Sequence, residues 1–159
     1  MTQRILVAAD DSPAGLEAAR WAVDLAGRYA ATLRVLHVLA DSHVTEALAA
    51  SGTPGLAERR REAVRSLFRH VSALAATAGV AVETVELYGE PAARILDQAR
   101  EWPADLVVIG RGAPRGAGGP WVGQETRMVL EFAEQPVLVV PPPARIPGRR
   151  TFGTNAVDS

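Results

Sequence analysis

The chain has 159 residues, enough for one well-buried domain and too few for two of ordinary size. Hydrophobic residues make up 48%, charged residues 22% and aromatics 5%, the composition of an aliphatic-cored globular protein, and a net charge of −1 gives no overall pull towards nucleic acid or an anionic membrane. All 17 basic residues are arginine and there is no cysteine, which together exclude phosphate-binding and Schiff-base lysines, disulfides, thiolate metal sites and cysteine nucleophiles.

The opening MTQRILVAAD enters a strand with no charged-then-apolar leader, and no apolar run is long enough to span a bilayer; a cytoplasmic location is the expectation. RILVAA at 4–9 predicts a first buried strand, ending at Asp10-Asp11-Ser12-Pro13, where Asp11 or Ser12 can cap a helix and Pro13 suits its first turn. Leu16, Ala19, Val23, Ala26 and Ala30 recur at helical spacing on that helix, and Gly27 lets a neighbour approach closely. TLRVLHV at 32–38 is a second strand. Residues 39–56 mix Ser, Thr, Gly and Pro with a short Ala-rich piece at 46–50, and read as a mobile excursion.

From Ala57 onward, Val64, Leu67, Phe68, Val71, Leu74, Ala75 and Ala78 form an apolar stripe. Arg59, Arg60, Arg61, Arg65 and Arg69 lie largely off it; without interleaved aromatics they read as a solvated face rather than a nucleic-acid surface. Gly79 closes this helix. Residues 80–87 alternate in polarity, a third strand exposed on one side and near an edge. Gly89-Glu90-Pro91 opens a helix with Ala92, Ile95, Leu96 and Ala99 inward, and the Trp102-Pro103-Ala104-Asp105 turn leads to a fourth strand, Leu106-Val107-Val108-Ile109.

That strand breaks into a loop holding Gly110, Gly112, Gly116, Gly118, Gly119 and Gly123, after which a helical pattern resumes at Gln124. A strand, a glycine-rich loop and a helix N-terminus place bare backbone N–H groups around an anion, with the helix dipole favouring a phosphate there. Gln135-Pro136 ends the last helix and Val137 to Val140 is a fifth strand. Residues 1–142 are thus expected to form one domain, with 143–159 an extended or disordered tail available to a protein partner.

The β-α alternation with near-continuous Val/Ile/Leu strands predicts a three-layer α/β/α fold around an open parallel sheet. Ligands in such sheets sit outside the strand C-termini where strand order reverses, so Asp10 and the glycine loop share one crevice if the first and fourth strands are neighbours. Other readings of the same residues fail. A dinucleotide fingerprint starting at Gly110-Arg111-Gly112 meets Arg115 where its third glycine belongs. A phospho-receiver would need an acceptor aspartate where Leu87-Tyr88-Gly89 stands, and no GxSxG element is present. His37, His43 and His70 fall in different elements, so no metal site is expected, and His37 reads as a hydrogen-bonded structural residue rather than a catalyst with Asp10. Trp121 reads as packing the loop or a subunit contact rather than stacking on a base. No catalytic residue is assigned.

ILVAADDS at 5–12, LRVLHV at 33–38, GEPAARILDQAREWPADLVVIGRG at 89–112 and GQETRMVLEFAEQPVLVV at 123–140 together resemble the universal stress protein family, from Arg4 to Val140. The resemblance implies strand order 3-2-1-4-5, homodimers paired through the last strand (Val137 to Val140), and regulatory or stress-response roles, with a subset of members binding ATP, with or without Mg²⁺, between strands 1 and 4. It places nucleotide contacts at Ala9, Asp10 and Ser12, at the backbone of Val38, and along the loop at Gly110, Ala113, Gly116, Gly123 and Gln124. Ala113 stands where nucleotide-binding members have a glycine, and Gln124 where they have Ser or Thr. Glu125 follows at once, and a carboxylate near a triphosphate is unfavourable unless it faces away. The alternative is a dimeric interaction module with a repurposed pocket.

Overall fold

The computed structural model describes residues 3–40, 55–112 and 121–144. Along them run β1 (Arg4–Ala8), α1 (Pro13–Tyr29), β2 (Thr32–Leu39), α2 (Leu56–Ala78), β3 (Val82–Tyr88), α3 (Pro91–Glu101), β4 (Leu106–Gly110), α4 (Gln124–Phe132) and β5 (Val137–Val140). The Ala-rich piece at 46–50, Ala113 and Gly116 of the loop, and residues 145–159 of the tail lie outside the described residues.

All strand pairings are parallel, in the order β3-β2-β1-β4-β5, as the family resemblance implies. β1 is central: Val7 sits between Val35 of β2 and Val108 of β4, and Ala8 between Leu36 and Ile109. Strand alternation then sorts the core into two halves. Ile5, Val7, Leu33, Val35 and Val108 face α1 and α2, meeting Ala18, Ala22, Leu67 and Val71. Leu6, Leu36, Val107 and Ile109 face α3 and α4, meeting Ala92, Ile95 and Val129. Ile5, Leu6, Leu33 and Leu36 are fully buried, each stabilising the fold by roughly 1.5–3 kcal/mol relative to exposure.

The helix ends follow from local chemistry. Ser12 is the N-cap of α1, its Oγ accepting from Gly15 N–H at 3.1 Å, and Pro13 occupies the first turn. Glu90 caps α3 by accepting from Ala92 and Ala93 N–H. Gly79 closes α2 at φ 68°. Ala30 departs from the expected stripe: it lies past the end of α1, exposed and left-handed at φ 52°, and the inward face is completed by Ala18 and Ala22 instead. Gly27 is dispensable for packing, since a methyl there would meet Val80 at an ordinary 3.6 Å. β3 lies at the sheet edge with alternating exposure, as its sequence pattern predicts. No helix of the described residues is long and apolar enough to cross a membrane.

The end of the sheet away from the strand C-termini is held by charged groups. Arg34 of β2 reaches Glu83 of β3 at 2.7 Å and Gln98 of α3 at 3.3 Å, and its guanidinium lies 4.5 Å from the centre of the Trp102 ring. Asp105 ties β1 to β4: its Oδ2 accepts from Gln3 N–H at 2.8 Å and Arg4 N–H at 2.9 Å, while its own N–H donates to Arg4 O. The Gln3 and Arg4 backbone donors favour the ionised carboxylate and hold Asp105 below the usual aspartate range. For a depressed pKa, the stabilisation is complete above the unfolded-state value and disappears as pH falls through the folded-state value. Urea midpoints measured from about pH 6 down to about pH 3 should therefore fall for the native chain, while Asp105→Asn starts lower at pH 6 and declines less. Parallel curves for the two proteins would remove this role from Asp105.

Candidate functional site

The strand order reverses between β1 and β4, and at their C-terminal ends lies a crevice of about 420 Å³. This is within the roughly 300–1,000 Å³ of small-molecule sites. Ala9, Asp10, Ser12, Val38, Gly110 and Gly123 all line it, so six of the residues singled out in the sequence converge from four segments of the chain. Gln124 is the first residue of α4 and is exposed; its neighbours Glu125 and Thr126 line the crevice instead.

Glycines permit this convergence. A methyl at Gly110 would lie 2.8 Å from the Ala14 carbonyl carbon and 3.0 Å from Gly15 N, so β4 ends directly against the first turn of α1. A methyl at Gly15 would fall 2.0 Å from Asp10 Oδ1. That oxygen accepts from Ser12 N–H at 3.0 Å and from Ser12 Oγ–H, fixing the carboxylate at the mouth of the crevice. Gly112, at φ 90°, comes against Gly123 and the Trp121 ring, so Trp121 packs the two ends of the glycine loop together while also lining the crevice.

Three polar features face the space. The first is the backbone of Val38. Leu36 O accepts from Ala9 N–H, and Leu39 O accepts from Gly89 N–H, so successive peptide groups of β2 point alternately to β1 and β3. Those of Val38 point to the β1 side, where β1 has already ended. The second is the N-terminus of α4. Its cap, Gly123, has no side chain to offer; Gly123 N–H donates to Arg111 O, and the first intrahelical bond runs from Arg127 N–H to Gly123 O. The N–H groups of Gln124, Glu125 and Thr126 therefore precede the helix's own acceptors. The third is His37, whose Nδ1–H donates to Ala9 O at 2.9 Å; a carbonyl only accepts, so this bond sets the tautomer and leaves Nε2 as the acceptor of the neutral ring. It is the structural hydrogen bond expected for this histidine, on a residue that also borders the crevice.

Sequence reasoning missed Gly15, whose only signal is a glycine in a helical first turn, and Thr126. Thr126 is 3% exposed, and its Oγ1–H donates to Gly110 O at 2.8 Å, locking α4 onto the end of β4. Ala8, Leu36, Ile95 and Ile109 supply an apolar floor.

The model of the universal stress protein family matches residues 1–141. The chain belongs to that family. It is 30% identical over 148 residues to universal stress protein YxiE of Bacillus subtilis, covering 88% of this chain and 99% of that one. It is 29% identical over 143 residues to a universal stress protein of Methanocaldococcus jannaschii, covering 90% and 84%. Among solved structures, universal stress protein UspA from Lactobacillus plantarum superposes with a TM-score of 0.69 at 28% identity, over 87% of this chain and 97% of that one. A universal stress protein in complex with cAMP matches at TM-score 0.66 and 23% identity, over 88% and 97% of the two chains. One from Archaeoglobus fulgidus in complex with dAMP matches at 0.62 and 19%, over 88% and 98%. At those last identities the likeness establishes the shared fold.

The contact between Gly110 and α1 is testable by itself. Gly110→Ala should destabilise the protein by about 1–3 kcal/mol, the usual cost of forcing a methyl into a filled contact, read as a lowered urea midpoint. An unchanged midpoint would mean that α1 can withdraw from β4 freely.

Proposed function

We propose that this universal stress protein binds an adenine nucleotide in the crevice between β1 and β4 and acts as a regulatory sensor of its occupancy, with no catalytic step. The reading rests above all on the Val38 peptide groups, which have no strand partner among the described residues and lie beside an apolar floor. An adenine ring matches both at once: its edge carries donor and acceptor nitrogens, and its faces are apolar. Asp10 stands alongside, with Oδ1 held by Ser12, and among the described residues none donates to Oδ2, leaving that oxygen for a ribose hydroxyl. Farther along, the α4 N-terminus presents N–H groups suited to a phosphate. The structural relatives bound to cAMP and dAMP support an adenine ligand over other bases.

Denaturing the purified protein and recording the ultraviolet spectrum of the supernatant should reveal co-purified adenine nucleotide. Added ligand should also raise the melting temperature, because a molecule bound only to the folded state stabilises it, by roughly 2.7 kcal/mol at 100 times its dissociation constant. A spectrum free of adenine, together with no thermal shift from adenosine, AMP, ADP or ATP, would remove the nucleotide from this reading.

The edge of the sheet favours a dimeric interaction role as well. β5 ends the sheet, and Leu130 and Phe132 of α4 are exposed. Pro136 O and Val140 O both accept from the β4 segment, so the N–H of Val139 points the other way, along the outer edge. Edge-to-edge pairing of two copies through β5 would use it. Sedimentation equilibrium should show a dimer that Val139→Pro converts to monomer without disturbing the β4–β5 ladder. A native monomer, or an intact dimer in the variant, would exclude this interface.

A further inference from the structure

The crevice has a carboxylate at each polar end. Asp10 stands at the end of β1 and Glu125 in the first turn of α4, and both line the space. Among the described lining residues none is arginine, and the chain contains no lysine. The N-terminal end of a helix acts as about half a positive charge. A carboxylate placed in that same first turn carries a full negative one, so at α4 the side chain outweighs the backbone for any group seated against it. Repulsion of this kind grows with the charge of the ligand: absent for a nucleoside, moderate for a monophosphate, and largest for a triphosphate. The arrangement retains the features that select an adenine nucleoside while opposing a chain of phosphates.

Resting on the nucleotide reading above, we infer that the site is selective for an adenine nucleoside bearing at most one phosphate, and that Glu125 is the residue that discriminates against polyphosphates. Gln124 does not set this limit. It is exposed and lies outside the crevice lining, although its place directly after Gly123 made it the more conspicuous departure in the sequence.

Calorimetric titration of the full chain with adenosine, AMP, ADP and ATP, first with a chelator and then with Mg²⁺, tests the inference. AMP is expected to bind about tenfold or more tightly than ATP. Glu125→Gln should shrink the AMP-to-ATP affinity ratio by about fivefold or more, and Glu125→Asp, which keeps the charge, should retain most of it. Raising the salt concentration should compress the ratio in the native chain, because repulsion at an exposed carboxylate is screened whereas a steric block is not. An ATP preference in either condition overturns the inference, including one that emerges only with Mg²⁺, where the carboxylate would be recruiting a cation. A ratio unmoved by Glu125→Gln or by salt also overturns it. In those cases adenosine binding preserves the nucleotide reading; failure of all four ligands to bind removes both.

Discussion

The site depends on the backbone of β4 meeting the first turn of α1 with no side chain between them. Gly110 and Gly15 are the residues that allow it, each lacking a methyl that would overlap main chain or the Asp10 carboxylate. Once that contact is made, Asp10 is held over the end of the sheet by Ser12, and Gly112, two residues past β4, lines the crevice. Thr126 then returns α4 to the same point by bonding Gly110 O. A single close approach thus positions three of the walls, and the fourth comes from β2 because β1 stops short of Val38.

In the proposed complex, recognition falls mainly to the backbone. A chain without lysine cannot grip a phosphate by an ammonium group, and the described lining of the crevice has no guanidinium either. Peptide groups at Val38 and at the start of α4 remain, along with two carboxylates whose charge restricts what the peptide groups can attract. Within the family fold, the side chain that borders the crevice from the first turn of α4 is a carboxylate. On the proposed reading Glu125 adjusts ligand choice without touching the core, because it is exposed whereas Thr126 and Val129, which pack α4, are buried.

Much of this was legible without coordinates. Ile5, Leu6 and Val7 announce a strand buried on both faces by being uniformly aliphatic, whereas the alternation at 82–87 marks β3 as an edge. Ser12-Pro13 and Gly79 signal helix boundaries through chemistry confined to one turn. Errors arose where a pattern outlasted its element. Ala30 continues a helical spacing but sits in a left-handed turn beyond α1, since periodicity alone says nothing about where hydrogen bonding stops.

By itself, the amino-acid sequence determined the order of elements, their buried faces and the family to which the chain belongs, because each is written in local periodicity and motif spacing. Tertiary structure alone decided that Gly15 must be glycine, that Thr126 bolts α4 to β4, and that Glu125 rather than Gln124 borders the crevice. These depend on distances between segments remote in the chain and on the rotation of a helix about its axis. At the start of a helix, adjacent residues point about 100° apart, so neighbours in sequence can meet quite different surroundings.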